Sequence, residues 1–332
     1  MAQPVSNASD QSPPRQAPQE YKDLGFGTKI QDAHIRLINP DGTFNVRKTG
    51  GGLGAVNPYQ YLILAPWWKF LLLVLGLYVV VNCMFACLYL AAGIENLTGE
   101  LGADAPMPTF WEDFWHAFFF SVQTYTTVGY GSVSPKGLMT NTLAAFEAMF
   151  GVMTFALATG LLYGRFSRPS AKIRFSEKMI IAPYQDINSL QVRIVNRRQN
   201  QLIELEVLLT LSWYEMVQGE RKQRFFTLDL ERSSVALFPL SWTIVHPITR
   251  ESPLYDISPE ILASRQAEVF VIIKAFDDTF AQVVHVRRSY RAEEITWGAR
   301  FVPAFYPDPA SGKIILNINK TGACEAAQLN KY

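Results

Sequence analysis

Two long apolar runs with a shorter one between them dominate the first half of the chain. From Trp67 to Ala92 the residues are almost wholly apolar, with Lys69 and Asn82 as the exceptions. A helix of that length crosses about 30 Å of hydrocarbon. Lys69 lies near its start, where a long side chain reaches the headgroups, and Trp67 and Trp68 suit the interfacial belt. The second run extends from about Leu138 to Tyr163, with one acid, Glu147, and small residues at Gly151, Ala156, Ala158 and Gly160. Both are predicted membrane spans; their length and apolarity argue against core helices of a soluble protein. Between them Phe110 to Tyr125 is aromatic-rich and polar at its start. It is predicted to be a helix capped by Thr109, with Glu112 and Asp113 in the first turn, where carboxylates complement the helix dipole. It is too short to span with ease and fits a re-entrant half-helix. Irregular backbone is tolerated at membrane depth where protein surrounds it. The predicted order is helix, half-helix, extended segment, helix.

After Lys172 the period changes. Leu190, Val192 and Ile194 alternate with Gln191, Arg193 and Val195, and Leu202 to Leu211 is similar. Phe225 to Leu230, Val269 to Ala275, Phe280 to Val286 and Lys313 to Ile318 are further strand candidates, punctuated by Asn, Gly, Pro and Asp. Many short alternating strands predict an all-β sandwich. Ser258 to Ala267 reads as a short helix, capped by Ser258 with Pro259 and Glu260 behind it. Ahead of the first span, Asn57 and Pro58 can start a short interfacial helix reaching Pro66; extension of the span fits the pattern equally well. The first twenty residues, rich in Pro, Gln, Ser and Ala, read as a disordered tail and not as a signal peptide. Asn39 to Gly42 is a turn, and Gly50 to Gly52 marks flexible or tightly turned backbone.

The 332 residues are 49% hydrophobic and 18% charged, more apolar and less charged than an average soluble domain. That length allows two or three domains. A formal net charge of +1 gives no argument for nucleic acid as a partner. The distribution of charge is more informative. Leu88 to Phe120 carries Glu95, Glu100, Asp104, Glu112 and Asp113 and no Lys or Arg. Arg47 and Lys48 precede the first span, and Arg165, Arg168, Lys172 and Arg174 follow the second. The positive-inside rule puts both termini in the cytoplasm. There is no arginine ladder of the voltage-sensor kind. Cys83 and Cys87 share one helix face and read as packing thiols; Cys324 is predicted to be free. No zinc spacing, Ser-His-Asp order or phosphate loop supports an enzyme.

The run Thr126 to Gly131 separates the half-helix from the second span. Its last five residues, Thr127-Val128-Gly129-Tyr130-Gly131, are of the kind that lines potassium filters with backbone carbonyls, which replace an ion's hydration shell. Its two glycines allow backbone angles that put successive carbonyls on one side. This reads as a potassium channel subunit, with K⁺ as the bound species and no organic cofactor. A β-sandwich membrane receptor or sensor without conduction explains the spans and strands but not the half-helix followed by this run. A non-selective or sodium-conducting relative is separated by its Na⁺ permeability.

The sequence resembles the prokaryotic inward-rectifier potassium channel family, often called KirBac. The resemblance rests on Phe146-Glu147-Ala148-Met149-Phe150-Gly151, on Ala158 through Pro169, on Ala171 to Ser176, on Leu190 to Arg198, and on His246-Pro247-Ile248 with Glu251-Ser252-Pro253-Leu254. It covers roughly Asn57 to Ile318. It implies a homotetramer with one central pore in a bacterial inner membrane, multi-pass, modulated by phosphoinositides or other anionic lipids. The implied organisation is an N-terminal cytoplasmic tail (1–56), a slide helix (57–66) and a transmembrane pore domain (67–168). The pore domain divides into a helix (67–92), a pore helix (110–125), the filter (127–131) and a second helix (138–164). A cytoplasmic immunoglobulin-like β-sandwich (169–320) and a C-terminal tail (321–332) follow.

The resemblance also assigns roles. Thr127, Val128, Gly129 and Tyr130 supply filter carbonyls, and the Thr127 hydroxyl the innermost ligand. Tyr163 matches an aromatic ring at the inner bundle crossing, although an interfacial anchor is a plain alternative. Gly151 matches a proposed hinge; close helix packing is an equally plain use. Glu147, an acid inside a span, is expected to brace the back of the filter, with direct ion binding as the alternative. Phe155 stands where strong rectifiers carry an acid that attracts polyamines and Mg²⁺, so weak intrinsic polyamine rectification is expected. Gln123 replaces the Glu that some relatives carry near the filter. Arg165, Arg168 and Lys172 form a candidate lipid-phosphate site, or ordinary positive-inside bias. Arg193, Arg197 and Arg198 are expected mostly to solvate strand edges and loops.

Overall fold

The computed structural model describes residues 20–21, 36, 38–47, 49–50, 57–99, 110–168 and 172–331. Residues 1–19 of the expected disordered tail and the Thr109 cap lie outside the described residues, whereas Glu20, the last residue of that tail, lies in a strand. The chain divides into two compact units: 49–168, and 1–48 together with 169–332.

The first unit is helical. Helix α1 covers Pro58–Leu64. The Asn57 side chain accepts from the Tyr59 and Gln60 N–H groups at 3.1 and 3.3 Å, and Pro58 occupies the first turn, where its missing N–H is harmless. Ala65 is extended and Pro66 follows, because the residue before a proline avoids the helical region. So α1 is a separate helix and not an extension of the next one. Helix α2 (Trp67–Ala92) and helix α4 (Leu138–Phe166) are both of membrane-crossing length, and most of their apolar surface is exposed. Helix α3 (Phe110–Tyr125) lies between them in sequence. At about 1.5 Å per residue it falls short of the hydrocarbon thickness. Ala117, Phe120, Ser121 and Tyr125 form its buried face, at helical spacing. Ala117, Phe120 and Tyr125 join Val81, Phe85, Ala86 and Tyr89 of α2 in one core.

The second unit is built of strands. β1 (Glu20–Tyr21) precedes the helices in sequence. After them come β2 (Ile173–Phe175), β3 (Met179–Tyr184), β4 (Ile187–Asn196), β5 (Leu202–Val217), β6 (Glu220–Thr227), β7 (Ser234–Leu237) and β8 (Ser241–Ile248). Helix α5 (Pro259–Ser264), capped by Ser258, leads to β9 (Glu268–Asp277), β10 (Gln282–Arg291) and β11 (Ile295–Trp297). One sheet has the order β1-β6-β5-β9-β10, with β7 also on β5. The other has the order β8-β4-β3-β11, with β2 also on β4. Both contribute to a single apolar core, including Leu190, Ile194 and Ile244 from one sheet and Leu209, Val269 and Val271 from the other.

Several strand boundaries differ from the expectation. Leu228 to Leu230 leave the sheet after β6, although Leu228 stays buried in the core. Phe280 and Ala281 belong to the turn before β10, where Ala281 has φ of 49°. Arg193 is not a solvated edge residue. It is 7% exposed, bonds the Thr243 hydroxyl at 3.3 Å and the Val302 carbonyl at 2.5 Å, and stacks on Phe301.

The segment around Arg36 docks on this unit. Arg36 pairs with Glu294 at 3.0 Å and donates to the Ser289 hydroxyl at 2.9 Å. Ile38 is buried against Phe225 and Phe270.

Candidate functional site

The stretch after α3 has an unusual backbone. Thr127, Gly129 and Gly131 have φ of 59°, 53° and 79°, while Val128 and Tyr130 are not among the positive-φ residues. Glycine takes such angles freely; for β-branched threonine this is an outlier that persists only where neighbours hold it. The hold is visible. The Thr127 N–H donates to the Thr124 carbonyl at 3.1 Å, and the Val128 and Gly129 N–H groups donate to the Gln123 carbonyl at 3.0 and 3.3 Å. Gln123 therefore supports this stretch through its main chain, at the end of α3. Alternating φ sign is what lets successive carbonyls face one side. Within a single chain Val128 is 53% and Tyr130 79% exposed.

Glu147 is completely buried on α4. Tyr89 of α2 donates its hydroxyl to Glu147 Oε2 at 2.6 Å. Ser121 of α3 lies 2.5 Å from Glu147 Oε1 and 3.0 Å from Asn82 Oδ1 of α2. Asn82 in turn donates to the Tyr78 carbonyl at 2.7 Å. One carboxyl thus ties all three helices at the back of α3. Tyr89 and Ser121 were not singled out from sequence. Asn82 was visible only as a polar exception in an apolar run.

Gly151 is also buried on α4. A Cβ added there would lie 2.0 Å from the Tyr125 carbonyl oxygen, at the last residue of α3. Close packing is what the geometry requires of this glycine. Phe155 and Tyr163, further along α4, are 76% and 73% exposed.

Arg165 sits in the last turn of α4. Its guanidinium donates to the carbonyls of Leu62, Ile63 and Ala65, the last two at 3.2 and 2.7 Å. These are the C-terminal carbonyls of α1, which a helix leaves unpaired and which favour a cation. The same group stacks on the Trp67 and Phe70 rings at 4.6 and 4.5 Å. Arg168 and Lys172 are exposed and belong to different units.

In the strand unit, His246 of β8 is 3% exposed. Its Nδ1 lies 2.6 Å from the Asp229 carbonyl and its Nε2 2.7 Å from the Ser252 hydroxyl. A carbonyl only accepts, so Nδ1 carries the hydrogen and Ser252 donates to Nε2. Burial holds this imidazole below the ordinary histidine value. The Ser252 oxygen also accepts the Leu254 N–H at 3.1 Å, fixing the turn after β8. Among the described residues no group of His, Cys, Asp and Glu could hold a metal ion.

Comparison with known proteins bears on both units. Residues 173–329 match the family described as "Inward rectifier potassium channel C-terminal domain", and residues 76–168 match the family described as "Ion channel". The chain is similar to "Inward rectifier potassium channel Kirbac3.1" of Paramagnetospirillum magnetotacticum, 39% identical over 301 residues, covering 89% of this chain and 97% of that one. It is also similar to the human "Inward rectifier potassium channel 4", 28% identical over 260 residues, covering 73% of this chain and 58% of that one.

Proposed function

Because this chain belongs to the inward-rectifier potassium channel family, we propose that it conducts K⁺ passively through a homotetrameric pore whose filter is the stretch Thr127 to Gly131. The observation that carries the proposal is the sign-alternating backbone of that stretch, tied to the end of a half-helix between two membrane-length helices. Four copies around one axis supply the ring of carbonyls that replaces the hydration shell of K⁺. Thr127, Val128, Gly129 and Tyr130 provide the carbonyls, and the Thr127 hydroxyl the innermost ligand. Glu147 braces the half-helix from behind. It reaches Ser121 and Tyr89 and is completely buried, which favours bracing over direct ion binding.

In the proposed orientation both termini and the β-rich unit lie on the cytoplasmic side of the inner membrane. That unit forms an immunoglobulin-like sandwich, a reading supported by two antiparallel-rich sheets around one core. Tyr163 narrows the inner end of the pore. Anionic lipid phosphates, of phosphoinositides or other acidic lipids, are proposed to meet Arg168 of the helical unit and, separately, Lys172 of the strand unit, whose side chains are exposed. Arg165 supports this indirectly by holding α1, since its guanidinium is already bonded to main-chain carbonyls. Phe155 brings no charge to the pore, so polyamines and Mg²⁺ act as weak blockers. Flux of K⁺ into liposomes containing the purified protein tests the proposal. Selective flux that Ba²⁺ blocks and Na⁺ does not share is expected; flux with equal Na⁺ permeability would refute the filter assignment.

A further inference from the structure

Asn82, Tyr89, Ser121 and Glu147 are completely buried within a single chain, so no neighbouring copy reaches them. The hydrogens available to this cluster fix its charge. The Tyr78 carbonyl only accepts, so the Asn82 group 2.7 Å from it is the amide NH₂, and Asn82 Oδ1 faces Ser121 Oγ at 3.0 Å. Ser121 Oγ also lies 2.5 Å from Glu147 Oε1. A hydroxyl carries one hydrogen, while an amide oxygen and an ionised carboxylate both only accept. With Glu147 ionised, one of these two contacts would set oxygen against oxygen with no hydrogen between them. Turning the Asn82 amide over only moves the deficit to the Tyr78 carbonyl. A hydrogen on Oε1 removes it. Glu147 then donates to Ser121, Ser121 to Asn82 and Asn82 to the Tyr78 carbonyl, while Tyr89 donates to Oε2.

No cation offers an alternative. Glu147 has no ion pair among the described residues. Lys69 and Arg165 stand roughly 20 Å or more away along α2 and α4. On α3, His116 lies about 140° round the helix from Ser121, and Glu112 and Asp113 lie two or more turns before it. Tyr78 and Tyr125 turn their rings to each other, and Cys87 of α2 is exposed. Tyr89 is therefore the titratable side chain that faces the carboxyl. A carboxylate buried without a counter-charge takes up a proton instead.

We infer that Glu147 is a proton-binding site occupied at neutral pH: a neutral carboxylic acid whose Oε1–H heads a hydrogen-bond relay from α4 through Ser121 of α3 to Asn82 of α2. Loss of that proton to solvent at alkaline pH turns the Ser121 hydrogen to the carboxylate and leaves Asn82 Oδ1 without a donor, so the α2–α3 link opens. Ser121 lies two residues before Gln123, whose carbonyl holds Val128 and Gly129. On the reading of that stretch as a filter, K⁺ flux then falls as the proton leaves.

Infrared spectra of the full-length protein, assembled in an ester-free detergent at neutral pH, test the assignment. Wild type minus Glu147→Gln is expected to show the carbonyl band of a neutral carboxylic acid, and Ser121→Ala should move that band to higher frequency by removing its acceptor. Wild type alone gives a second measurement: the band should disappear between neutral and alkaline pH, a range in which exposed carboxylates do not change. A difference spectrum with lost carboxylate bands and no neutral-acid band would overturn the inference. In liposomes, Glu147→Gln should lack the alkaline loss of flux seen in wild type; an alkaline loss shared by both would overturn the switch. The spectra require no ion flux, so failure of the assignment is distinct from failure of the conduction proposal.

Discussion

Gly151→Ala separates two uses of one glycine, hinge and close contact, that make opposite demands. The added Cβ would start 2.0 Å from the Tyr125 carbonyl oxygen and 2.9 Å from its carbon. Unstrained carbon–oxygen contacts sit at about 3.3 Å, so α4 and the end of α3 must part by roughly 1.3 Å. Both partners are backbone, and no side-chain rotation relieves the clash. Overpacking of this kind costs about 1–3 kcal/mol per site. The displaced atom belongs to Tyr125, two residues before Thr127, so the strain reaches the positive-φ stretch directly. The expected result is a lower thermal midpoint in detergent together with raised Na⁺ permeability in liposomes. Gly151→Val should be worse than alanine. If Gly151 served only as a hinge, Gly151→Ala would alter gating and leave thermal stability and K⁺ over Na⁺ selectivity unchanged. That outcome would refute the packing argument.

Glu147→Ala should destabilise the protein by about 1–3 kcal/mol, because the buried Tyr89 hydroxyl loses its acceptor while Ser121 is left with Asn82 Oδ1 alone; Glu147→Gln keeps one acceptor and supplies a donor, and should recover most of the thermal midpoint. Arg165→Gln removes charge-assisted bonds to the last carbonyls of α1, and a spin label at Gln60 should become more mobile; an unchanged spectrum would contradict the role. His246 has its pKa lowered by burial from an ordinary value of 6.5. The unfolded chain therefore binds the proton first as pH falls, and stability is complete above about pH 6.5 and declines below it towards the folded value. His246→Asn keeps a donor for the Asp229 carbonyl and should lack this contribution to acid destabilisation; identical acid profiles would exclude it. Phe155→Asp should increase voltage-dependent spermine block in inside-out patches, since a carboxylate in a narrow pore attracts cations; no increase would remove Phe155 as the reason for weak rectification.

The helical unit was the more legible half. Length and apolarity identified α2 and α4, and the TVGYG run marked the candidate filter, because those signals are local. The strand unit was harder to read. β3 escaped detection because Met179, Ile180, Ile181 and Ala182 are all buried. Ile181 faces the main core, while Ile180 and Ala182 pack on Ala299 and Phe301. A strand covered on both faces has no alternation to find. β8 contains Pro247, which argues against a central strand, and it occupies the edge of its sheet, where a missing donor is tolerated.

Sequence by itself determined the family, the two apolar helices and the position of the candidate filter, since each depends on residue identity along a short contiguous stretch. Tertiary structure decided how that stretch is supported. Glu147 was recognisable as a buried acid, but Tyr89 and Ser121, 58 and 26 residues away in sequence, become its partners only when three helices pack. Gly151 left hinge and packing equally open until the Tyr125 carbonyl was placed against it. Arg165 looked like one basic residue of a cluster until its guanidinium was found on the carbonyls that end α1. In each case the deciding partner is a main-chain atom or a distant hydroxyl, and neither leaves a periodic trace in the sequence.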